Sequence, residues 1–137
     1  MVVMPTINYL AVVVAAVVAI VFGLVWYSPI LFGGIWSRGN PIAHKKMQQN
    51  VRKGGYVFMI IASLLTSFAL EVLIKFLGIN TLYYGVGLAM LVWAGFFFSQ
   101  SFVDLIMGSK DTKLFVVDNT HHIVSVLLIC IILVLMG

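Results

Sequence analysis

Four apolar runs, each about as long as a bilayer core is thick, decide what this chain can fold into. They extend roughly from Asn8 to Ser28, Tyr56 to Ile74, Leu82 to Val103 and Leu114 to Met136. A helix needs about 20 apolar residues to cross the hydrocarbon, and each run reaches that length. A spanning strand would belong to a closed barrel and would alternate polar and apolar residues, which these runs do not do. Val and Ile are abundant in the first run and favour strands in water. In lipid, however, every backbone polar group must bond within its own segment, and a helix does this. The chain has 137 residues, 63% of them hydrophobic and 9% charged. Soluble domains sit near ~45–50% and ~25%, so this chain cannot cover a water-facing surface and lipid is its solvent. The expectation is a single all-α domain over residues 1–137, an integral membrane four-helix bundle.

Charge placement predicts the orientation. Arg38, Lys45, Lys46, Arg52 and Lys53 fall in the first connection, Lys110 and Lys113 in the third, and only Lys75 in the second. The first and third connections share one side, which the excess of Lys and Arg makes cytoplasmic. Both termini are then non-cytoplasmic. No Lys or Arg precedes the first run, and that run is too long for the apolar part of a cleavable leader. The formal charge of +4 does not imply nucleic acid, because the basic residues flank spans and no basic domain exists. Within the first connection, Asn40-Pro41 reads as a helix start and Gly54-Gly55 as a stop. Ala43, Met47 and Val51 recur every four residues between them, predicting a short amphipathic helix on the cytoplasmic membrane face.

Small residues recur at intervals of four in the first span, at Ala11, Ala15, Ala19 and Gly23. Such a stripe lets a second helix approach closely. Gly85 with Ala89, and Gly95 with Ser99, repeat the spacing in the third span. In the second, Ser63, Ser67 and Glu71 give one polar face that should look inward. Tyr9, Trp26, Tyr27, Trp36, Tyr56, Tyr83 and Tyr84 fall near span ends, where aromatic rings favour the headgroup level. Trp93 lies mid-span and reads as core packing.

Ionisable groups inside a membrane are costly, so each is a candidate functional residue. Glu71 precedes Lys75 by four residues, an order that favours a local ion pair at the interface. Asp111 belongs to a polar connection. The opening of the fourth span is richer: Asp118, Asn119, Thr120, His121 and His122. Asp118 and His122 share a helix face, whereas His121 points about 100° away from His122. Gln100 and Asp104 at the end of the third span return to the same depth, and Tyr27 reaches it from the first. A polar pocket formed by Asp118, His122, Asp104, Gln100 and Tyr27 is therefore expected in the cytoplasmic half. An Asp–His pair can relay protons. Together with Asp104 it could bind a divalent metal, and His122 could ligate haem, although the ligands are few and scattered. An interhelical hydrogen-bonded pair of purely structural role is the preferred reading. No cofactor is expected. The single cysteine, Cys130, excludes an intramolecular disulfide. His44 reads as a surface residue, and no catalytic motif is present, so the chain is not expected to be an enzyme.

The segment Asn8-Tyr9-Leu10-Ala11, then Gly23, then Trp26-Tyr27-Ser28-Pro29 with Leu31-Phe32-Gly33 and Trp36, resembles the small multi-span membrane proteins catalogued as domain of unknown function 1761. Leu114-Phe115 and His122-Ile123-Val124-Ser125 are similar as well. The family pattern has an aromatic residue where His121 stands and Asn where Asp118 stands. What the resemblance implies is a four-span membrane fold without an assigned activity. In the same segment Pro29 ends the first span, because it cannot continue the backbone ladder.

The leading functional expectation is an oligomer that moves ions, protons or a small solute. The alternative is a non-catalytic accessory subunit of a larger membrane complex, which the small-residue stripes suit. Either way the expected partners are the lipid bilayer and other membrane chains.

Overall fold

A computed structural model describes residues 6–28, 30–108 and 112–137 of the chain. Pro29, Lys110 and Asp111, and the side chains of Ala43, Met47 and Val51, lie outside the described residues, and so do the expectations placed on them. Every regular element among the described residues is a helix. These are α1 (Tyr9–Trp26), α2 (Gly33–Gly39), α3 (Pro41–Arg52), α4 (Tyr56–Phe76), α5 (Leu82–Val92), α6 (Ser99–Ile106) and α7 (Thr112–Met136). A π-helical segment, Trp93–Phe98, joins α5 to α6 in one rod. Among the described residues four helices are long and apolar enough to cross a membrane: α1, α4, the rod Leu82–Ile106 and α7. The four-span membrane bundle read from hydropathy is the fold.

The helix ends follow local chemistry. Asn8 Oδ1 accepts from the Ala11 amide at 3.1 Å, satisfying a donor that the first turn leaves free. Its Nδ2 donates to the Met136 carbonyl at 2.9 Å, so one side chain caps α1 and holds the end of α7. After α4, Gly78 takes φ +66°, a left-handed conformation that costs glycine little. This lets the Ile79 amide reach the Ile74 carbonyl and the Gly78 amide reach that of Lys75, the paired closure of a Schellman turn. The helix α3 stops at Arg52, just ahead of the glycine pair expected to end it. The side-chain amide of Asn40 donates back to the Trp36 carbonyl at the end of α2.

Packing is uneven along the bundle. At its centre α1 lies against α7, with α4 on α1 and α5 on α7; α4 and α7 touch less. The buried core gathers Ala11, Val12 and Ala15 of α1, Leu70 and Ile74 of α4, Leu88 and Ala89 of α5, and the C-terminal half of α7. Ala11 and Ala15 are fully buried there, which is where small residues let helices gain close contact. In the other half, α4 stands away from its neighbours: every residue from Tyr56 to Ala62 is exposed on the protein surface. One half of the bundle is therefore sealed and the other open.

Two local features were not legible in the hydropathy pattern. The helix α2 is short and contains Gly33, Gly34 and Gly39, poor helix formers that mask it. The π segment changes the facing of everything after it. Val92 packs on the core, and an unbroken α-helix would next turn Phe96 and then Gln100 inward. The extra residue of the π turn brings Phe97 to the core instead, leaves Phe96 74% exposed, and buries Ser101 while Gln100 faces outward.

Replacing Asn8 by Ala removes both its cap and its tie to α7. The expected loss is about 1–2 kcal/mol of stability, read from unfolding in mixed detergent micelles.

Candidate functional site

The open half of the bundle holds a cavity of about 630 Å³ between α1, α4 and α7, closed at one end by α2 and α3. The turn after α1 builds that end. The Phe32 amide returns to the Trp26 carbonyl at 3.0 Å and the Gly33 amide to the Ser28 carbonyl at 2.9 Å. A Cβ at Gly33 would collide with the Tyr27 carbonyl, so this fold-back requires glycine. It brings Trp36 edge-on to Tyr27, with ring centres 6.3 Å apart, and His44 edge-on to Trp36 at 5.7 Å. Across the cavity Tyr27 donates its hydroxyl hydrogen to Asp118 Oδ1 at 2.6 Å, joining α1 to α7. Asp118 is 8% exposed, so this bond lies largely out of reach of bulk water.

His121 forms the wall beside them. Its ring stacks on Phe22 with centres 5.4 Å apart and planes 6° apart, and it lies 5.0 Å from the Tyr27 ring. Gly23 leaves room for it: a Cβ there would come within 3.4 Å of Nε2. Both ring nitrogens of His121 are buried without a hydrogen-bond partner, as are His44 Nδ1 and, behind the wall, Trp26 Nε1. A neutral imidazole offers one donor and one acceptor, and leaving such a group unmet costs about 1–3 kcal/mol. Unmet polar groups collected around one cavity are an arrangement that a ligand with its own donors and acceptors would relieve. His122 serves a different wall, stacked on Phe97 of the π segment at 4.9 Å.

Of the residues expected in a polar pocket, Tyr27, Asp118 and His122 meet at this cavity. Gln100 and Asp104 are not among the residues that line it; the π turn has carried their part of the rod round. The small-residue stripe divides, with Ala19 and Gly23 lining the cavity and Ala11 and Ala15 in the sealed core. His44, expected at the surface, lines the cavity instead, because α3 folds back over it. Trp26, Tyr27 and Trp36, expected as headgroup anchors, form an inward aromatic cluster with Phe22, Phe32 and His121. His121 could not be assigned from helix spacing alone. The aromatic Trp-Tyr at the end of α1 was the signal, since those rings need a partner. Among the described residues no three His, Cys, Asp or Glu side chains converge as a metal site.

The sequence model of a family described as "Protein of unknown function (DUF1761)" matches residues 10–134. This bears out the resemblance read from both ends of the chain. No curated protein and no solved structure matches significantly.

The Tyr27–Asp118 bond is testable by a double-mutant cycle with Tyr27→Phe and Asp118→Asn. The expected coupling is about 1–2 kcal/mol in detergent unfolding, above the ~0.6 kcal/mol average of interhelical hydrogen bonds in membranes. Additive effects of the two changes would mean that the bond carries no stability.

Proposed function

The chain belongs to the DUF1761 family of proteins of unknown function, and from the form of its cavity we propose that it binds and moves a small organic solute in the membrane. The observation that carries this reading is the half-open cavity with unpartnered buried polar atoms on His121 and His44. Rings of Tyr27, Trp36, Tyr56, Phe97 and the three histidines line it among aliphatic and small side chains, with one carboxyl group at Asp118. Aromatic faces attract cations through their quadrupole, most strongly where water is displaced. Asp118 adds negative charge on the same side when ionised. The favoured solute is therefore an amine or other organic cation with an apolar body, of a size that about 630 Å³ admits.

Charge distribution supports an orientation in which α2, α3 and the half of the bundle that holds the cavity face the cytoplasm and both termini lie opposite. The sealed half closes the far end of the cavity, so movement across the membrane requires that half to open in turn. Gly87 and Gly95 on the rod have open space around them and offer a surface for close packing with another copy. No catalytic step and no cofactor enter this reading.

The test uses two probes of nearly equal shape and opposite charge, tetraphenylphosphonium and tetraphenylborate, with tryptophan fluorescence of the reconstituted protein as the readout. The cation is expected to quench saturably, and Asp118→Asn to weaken its binding about tenfold, or about 1.4 kcal/mol. Equal binding of both ions, or of neither, would contradict the proposal.

A further inference from the structure

The sealed half of the bundle contains a polar group that its packing does not explain. Glu71, the only glutamate in the chain, has a side chain that is 0% exposed. Neither of its carboxyl oxygens has a hydrogen-bond partner. The interfacial ion pair expected from sequence is long: Lys75 Nζ lies 3.9 Å from Glu71 Oε1. The lysine makes its short contact elsewhere, donating to the Gly137 carbonyl at 2.8 Å. One turn before Glu71, Ser67 is also fully buried, and its hydroxyl also has no partner. One turn before that, Ser63 lines the cavity.

These three residues lie on one face of α4 at intervals of four. Each step rises about 6 Å, a gap that one water spans with two hydrogen bonds of about 2.8 Å each. The helices packed against α4 are α1 and α7. α1 brings no charge, and its one titratable side chain is Tyr9, at its first residue and stacked on Phe68. In this half α7 brings Cys130; its Asp118, His121 and His122 line the cavity instead. Among the described residues of these helices, Lys75 on α4 itself is thus the one cation facing Glu71. An ionised carboxylate without hydrogen-bond donors is strongly disfavoured in such surroundings, whereas the neutral acid is tolerated.

We propose that Glu71 is a proton-binding site within the membrane, loaded and unloaded from the cavity along the Ser63–Ser67 face of α4. In the loading step a hydronium ion in the cavity gives its proton to the carboxylate, leaving water and the neutral acid; unloading is the reverse. The site gives the sealed half a chemical role and would couple a proton to whatever occupies the cavity. It requires that water enter the cavity, but not that an organic cation bind there.

Because no other glutamate is present, carbon-13 at the glutamate side-chain carboxyl reports Glu71 alone in the unmodified protein. Infrared spectra of the labelled protein in lipid are expected to show the protonated acid near neutral pH. That band should give way reversibly to the carboxylate band as pH rises, and shift promptly in heavy water. Ser67→Val should slow this hydrogen exchange about tenfold; Ser63→Ala gives the same comparison outside the packed core. A carboxylate band at every pH would mean a permanent pair with Lys75 and would overturn the proposal. So would an acid band that never titrates, or an exchange rate that neither serine substitution changes. These outcomes are independent of tetraphenylphosphonium binding, so this site and the solute reading can fail separately.

Discussion

The structure depends on the seam between α1 and α7. Lipid tails are as apolar as the side chains they touch, so helices in a bilayer associate through close packing and interhelical hydrogen bonds. The seam has both. Its middle is built on fully buried Ala11 and Ala15 against the C-terminal half of α7. Each end is fastened by a side chain of the α1 segment, Asn8 on the Met136 carbonyl and Tyr27 on Asp118. Those fasteners are separated by roughly the thickness of the hydrocarbon core, which fixes the register of the two helices. α4 and the rod from α5 to α6 are then added to either side.

From that arrangement comes the division of the bundle into two halves. Where α4 and α5 close on the seam, small and branched side chains fill the interior and leave no room for solute. Where α4 leaves the seam, a space opens, and α2 and α3 fold back across it. The polar and aromatic residues collect there: Tyr27, Trp36, His44, Asp118, His121 and His122. Glu71 and Ser67 are the exceptions, polar groups held inside the sealed half on the α4 face that continues into the cavity. A group that costs so much to bury in apolar surroundings is a functional candidate on physical grounds.

The spans were legible in the sequence because hydropathy over about twenty residues is a strong, additive signal. The helix α3 was legible from its proline and glycine punctuation. Tyr27 and Asp118 were readable as neighbours, since span ends fix depth and depth brings the two to one level. What sequence could not supply was rotation about the helix axes. The π turn at Trp93–Phe98 has no hydropathy signature, yet it decides that Ser101 rather than Gln100 faces inward. The facing of His44 and His121 is hidden from sequence for a related reason: it depends on the fold-back through Gly33 and on the aromatic stack with Phe22. For Glu71, the spacing to Lys75 alone does not show that the carboxyl lies beneath the surface while the lysine reaches away.

If one half of this bundle is open and the other packed shut, a soluble thiol reagent should enter the first and not the second. The chain's own Cys130 lies in the sealed half and is fully buried. Single substitutions Ser63→Cys and Ser125→Cys place a second thiol on the cavity wall. With a membrane-impermeant maleimide applied from the cavity side, both new cysteines should react while Cys130 stays unmodified. If the new cysteines resist the reagent as Cys130 does, the cavity is closed to water and the bundle has no open half.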